Sequence, residues 1–110
     1  MKTIWKFAIP ITDETVLKMP KSPNILCAQV QGASAKEIML WAIVDPQAEL
    51  EMHKFRVVGT GHPFPDAAVC VYIDTVQMGD RDWPLVFHVF EEYPEVAEGR
   101  QNESRSQSRN

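Results

Sequence analysis

At 110 residues, with 45% apolar and 24% charged side chains, the chain is sized for one domain whose core needs neither disulfides nor a metal. A formal charge of −4 repels phosphate backbones at long range, which excludes general nucleic-acid binding, and is too small for a DNA mimic. No apolar run has the length of a membrane helix, and the N-terminal one is broken by Lys6 and Pro10. Neither anchor nor signal peptide is expected, which places the protein in a reducing cytoplasm.

In chain order the elements read as strands. Trp5, Phe7, Ile9 and Ile11 alternate with Lys6 and Ala8, a period of two that turns one apolar face to a core. Thr12-Asp13-Glu14 turns the chain into a short strand, Thr15–Met19, and the segment Pro20-Lys21-Ser22-Pro23-Asn24 forbids helix. Ile25–Gln31 is the third strand, with a flexible loop after it. Ile38–Val44 is apolar at every position, as expected of a central strand covered on both faces, with Trp41 enclosed. Asp45-Pro46 ends it and starts at most one short helical turn over Pro46–Glu51. The strands His53–Val58, Val69–Val76 and Leu85–Phe90 complete the set.

This pattern predicts an all-β fold, a small antiparallel sandwich or partly open barrel of six to seven short strands, with an α+β fold as runner-up. Cys27 and Cys70 lie in apolar runs and are expected as buried thiols. The domain is expected to span residues 1–93. From Pro94 to Asn110 the composition turns polar, and three arginines (Arg100, Arg105, Arg109) face three glutamates (Glu95, Glu98, Glu103). Such a segment cannot repay the entropy of ordering and is expected to be a disordered tail, its balanced charge arguing against an RNA-binding one.

One stretch interrupts the strands: Gly59-Thr60-Gly61-His62-Pro63-Phe64-Pro65-Asp66. Two glycines around a threonine let backbone N–H groups form a concavity suited to an anion, and Arg56 just upstream adds a charge for phosphate or carboxylate. The loop matches neither phosphate-binding glycine motif, so a plain turn competes with a site. Phe64 and Trp83 adjoin turns and are the aromatics expected at the surface, where they would stack on a base or anchor a partner. The ligand-binding set is therefore Arg56, Gly59, Thr60, Gly61, His62, Phe64 and Trp83. His53, His62 and His88 are scattered singles with neither ligand spacing nor a carboxylate partner, so no metal is expected. Thr60, His62 and Asp66 are close in sequence, but local spacing does not make a triad. No catalytic residue and no cofactor is assigned.

Four phrases occur in order that resemble a family of small proteins of tailed bacteriophages and prophages: Leu40-Trp41-Ala42-Ile43-Val44-Asp45-Pro46, Phe55-Arg56-Val57-Val58-Gly59-Thr60-Gly61-His62-Pro63, Tyr72-Ile73-Asp74-Thr75-Val76-Gln77, and Leu85-Val86-Phe87-His88-Val89-Phe90-Glu91. The resemblance implies a setting, the cytoplasm of an infected bacterium, and no catalytic residues. The expectation is then a phage-encoded binding protein that captures a host molecule and blocks a host pathway, a nucleotide immune signal being one candidate ligand. The alternatives are an inhibitor that binds a host protein, or a structural or accessory virion protein; an enzyme ranks last. A pocket enclosing a small ligand is hard to build in one domain of this size, so a homo-oligomer is expected.

Overall fold

A computed structural model describes residues 1–32, 36–65, 69–79 and 82–93. Seven strands run in chain order as β1 (Thr3–Pro10), β2 (Glu14–Pro20), β3 (Asn24–Gln29), β4 (Glu37–Val44), β5 (Leu50–Gly59), β6 (Val69–Gly79) and β7 (Pro84–Tyr93). They form two antiparallel sheets, ordered β1-β4-β3 and β2-β5-β7-β6, that stack as a sandwich and do not close into a barrel. Among the described residues there is no helix. In place of the helical turn expected over Pro46–Glu51 the chain makes a tight non-helical turn, in which Asp45 accepts from Gln47 N at its side chain and from Ala48 N at its carbonyl, and Leu50 and Glu51 already belong to β5. The segment 94–110, expected as a tail, and Asp66 lie outside the described residues.

Period-two alternation explains the core. Ile38, Leu40, Ala42 and Val44 of β4 are buried together with Ile9 of β1, and face Met19, Phe55, Val57 and Val89 of the second sheet. β4 is central in its sheet, as expected, but it is not covered on both faces. Met39, Trp41 and Ile43 alternate with the buried set and are only half-buried, because no second layer lies outside this three-stranded sheet among the described residues. Trp41 is flanked by Lys6 on β1 and Cys27 on β3. Cys27 and Cys70 are free and half-buried rather than buried, and they sit on different sheets.

One edge of the sandwich is stitched shut by a side chain. β6 carries a bulge between Tyr72 and Asp74, and there Asp74 accepts from Ala28 N (3.1 Å) and from Gln29 Nε2 (3.0 Å) on β3. A carboxylate thus satisfies a main-chain donor that the edge of β3 would otherwise leave open.

Candidate functional site

Register places the outer face of the larger sheet in rows. Arg56, Phe90 and Tyr72 are cross-strand neighbours on β5, β7 and β6, and Val58, His88 and Thr75 form the next row. The loop that follows β5 doubles back over this face. His62 N donates to Gly59 O (3.0 Å) and Thr60 N to Val86 O (3.2 Å). Phe64 stands edge-on against Phe90, with ring centroids 5.0 Å apart, and Tyr72 packs on the other side of Phe90 at 5.8 Å. Edge-to-face pairs of this kind hold their rings in place beyond what burial alone would do.

The two glycines are needed for different reasons. Gly61 has φ 87°, a left-handed conformation in which a branched side chain is strained. At Gly59 the constraint is contact: the His62 ring lies against it, 2.9 Å from where a Cβ would sit. Gly61→Val is expected to lower stability by about 1–2 kcal/mol. An unchanged urea midpoint would show that the loop re-forms without the positive φ.

Between the loop and the sheet lies a cleft of about 360 Å³, whose lining includes Asp13, Arg56, Val58, Gly59, His62 and Phe64. Six of the seven expected site residues therefore meet on or beside this loop. Thr60 points to His88 instead of into the cleft: its hydroxyl hydrogen-bonds Nε2 at 2.8 Å. Trp83 stands apart at the β6–β7 turn, highly exposed, and does not line the cleft.

Arg56 is not a free cation. Its Nε donates to Glu92 and its Nη2 to Glu14 (2.9 Å), and Lys54 lies within ion-pair distance of both carboxylates. The Glu92 hydrogen bond above all, followed by the charges of Glu92 and Glu14, outweighs desolvation and raises the Arg56 pKa. Two cations thus oppose two carboxylates, and Asp13 adds a further negative charge at the cleft. The reading of Arg56 as a charge offered to a bound phosphate has no support in this geometry. Arg56 instead ties β5 to β2 and β7.

Two polar groups went unread in the sequence. On the outer face, His88 Nδ1 meets the Thr75 hydroxyl at 3.1 Å, and that hydroxyl meets Tyr72 OH at 2.8 Å. With Thr60 on the other ring nitrogen, this relay fastens the loop to the sheet. A neutral hydroxyl stands where an oriented base would need a carboxylate, so Thr60 is not set up as a nucleophile.

At the opposite end of β5, His53 has two carboxylate partners, which corrects the expectation that the histidines lack them. Nδ1 lies 2.7 Å from Glu91 and Nε2 lies 2.8 Å from Glu51. Glu91 is buried and also accepts from Tyr93 OH (3.1 Å). Burial first, then the neighbouring Glu91 charge, pushes the Tyr93 phenol up. A hydrogen bond from Ser22 N and another from His53 hold Glu51 below its ordinary value. Glu51 and His53 are two apart on one strand, but Glu91 comes to them only through the β5–β7 pairing. Among the described residues, no group of three or more His, Cys, Asp or Glu is placed to hold a metal ion.

Neither a curated protein nor a solved structure matches the chain significantly. A family model described as a domain of unknown function (DUF7352) matches residues 1–100, past the end of β7 at Tyr93. With that much of its length matched, the chain belongs to the DUF7352 family.

Proposed function

We propose that this domain is a binding protein and not an enzyme, and that it docks a host protein through the face built by the 59–65 loop. The observation that carries this reading is Phe64. It remains 44% exposed although it is locked edge-on against Phe90. Tyr72 and His62 are exposed beside it. A rigid aromatic next to polar groups on a sheet scaffold loses little entropy on binding, which is what an interface anchor requires. The resemblance to small proteins of tailed phages supplies the setting, in which the captured host protein belongs to a pathway the phage must block.

Sequestration of a nucleotide signal is the branch that the charges weigh against, because Arg56 is already matched by carboxylates and Asp13 lies in the same cleft. Phe64→Ala is expected to weaken partner binding about 30-fold or more, the loss typical of an aromatic anchor, while the lost contact with Phe90 lowers the melting temperature by several degrees without unfolding the domain. Arg56→Ala is a poor probe, since it also removes the hydrogen-bond donor that ties Glu92 to β5. The measurement is surface plasmon resonance against the host protein recovered by wild-type pull-down, run beside calorimetric titration with cyclic and linear nucleotides. Nucleotide binding at micromolar affinity that His62→Ala abolishes and Phe64→Ala spares would replace protein docking by sequestration.

A further inference from the structure

We infer that β1 is a dimerisation edge: two copies pair antiparallel through Ile4–Pro10, about a two-fold axis at Phe7, to make a continuous six-stranded sheet. The inference is independent of the loop face, which lies on the other sheet.

Each sheet has two edges, and three of the four are obstructed. The edge of β3 is taken by Asp74. β6 lies beside β3 and is broken by its bulge. β2 carries Glu14 and Lys18 and ends in Pro20. Charges, prolines and bulges are the devices that keep edges from pairing. Among the described residues β1 pairs with β4 on one side only; its eight residues carry a single charge, Lys6, and it too ends in a proline, Pro10. That charge is drawn away from the edge: Lys6 Nζ donates to Gln31 Oε1 (2.9 Å) beyond β3, on the far side of β4. Beside this edge, Trp5 shares the inner face with Phe7 and Ile9 and packs on Phe7, yet it is 40% exposed. Among the described residues nothing covers the outer side of this ring at the edge.

The face rule and the charges select the register. Residues directly opposite in an antiparallel pair share a face, so inner Trp5, Phe7 and Ile9 must meet inner residues of the second copy. Centring on Lys6 would set two like charges opposite each other, which is unfavourable. Centring on Trp5 shortens the overlap. Centring on Phe7 places Trp5 opposite the partner's Ile9, Ile4 opposite the partner's Pro10 and Lys6 opposite the partner's Ala8. These pairs cover Ile4 and Trp5 together. A seven-residue strand pairing sits at the small end of specific interfaces, so the dimer is concentration-dependent.

Sedimentation of the full chain is expected to show dimer at ~100 µM that dissociates towards ~1 µM, the range of a small interface. Trp5→Lys sets a charge on the inner face at the edge and is expected to weaken dimerisation at least tenfold, while Met52→Lys, exposed on the other sheet, leaves it intact. Amide hydrogen exchange in the unaltered protein gives a reading that needs no variant. The β1 amides that point away from β4 should be protected at high concentration and exchange fast on dilution. A wild type that is monomeric at ~100 µM, a dimer that folded Trp5→Lys leaves intact, or β1 exchange indifferent to concentration would each overturn the inference.

Discussion

Phe55→Ala is expected to cost about 3–5 kcal/mol, a large share of the stability of a domain this size, whereas Trp41→Ala should cost only ~1–2 kcal/mol. Among the described residues Phe55 is the largest fully buried side chain, flanked by Thr15 on β2 and Glu91 on β7. Its removal leaves a cavity between two hydrogen-bonded neighbours that cannot move inward. Trp41 is the larger residue but stands on the outer face of β4, half-buried, so its truncation removes contacts without opening a void. Urea unfolding of the two variants with equal m-values makes the comparison. A Trp41→Ala loss as large as that of Phe55→Ala would mean that another layer covers the outer face of β4.

His53→Ala should cost about 3 kcal/mol, because it leaves the buried Glu91 carboxylate with Tyr93 as its hydrogen-bond partner. Removing the carboxylate as well should recover much of the loss, so the double variant His53→Ala/Glu91→Leu is expected to be more stable than His53→Ala alone. If the double variant is the less stable of the two, the cluster contributes through packing rather than through its hydrogen bonds. The same cluster adds an acid limb. Glu51 titrates below its ordinary 4.5 in the folded protein, so its contribution is present above that value and is lost as the pH falls through the lowered one. Glu51→Gln should flatten that limb in a series of melts.

Local pattern and distant pairing account for what was legible. All seven strands were readable, because alternation and turn residues are properties of neighbours in the chain. The glycine loop was readable for the same reason. The continuous apolar run over Ile38–Val44 misled, since residues that await a cover and residues that have one look alike in sequence. The partners of Arg56 and His53 are Glu92 and Glu91, and only the β5–β7 register joins them. Thr60 read as a ligand contact because its partner, His88, lies on another strand. Trp83 was grouped with Phe64 by exposure alone, although only Phe64 lines the cleft.

The order of strands in the sheets also governs how the chain comes together in time. Thr3 pairs with Val44 and Glu14 with Arg56, so the first two strands leave the ribosome well before either partner exists. Neither can be held in place by its own hairpin. Within the described chain only β3–β4 and β6–β7 join consecutive strands as sheet neighbours. The two N-terminal strands therefore wait unpaired until β4 and β5 are made; the three-stranded sheet can form once Val44 is present, whereas the four-stranded sheet closes only with β7. That is the slow topology for a β domain, and the interval in which it is most exposed to misassembly.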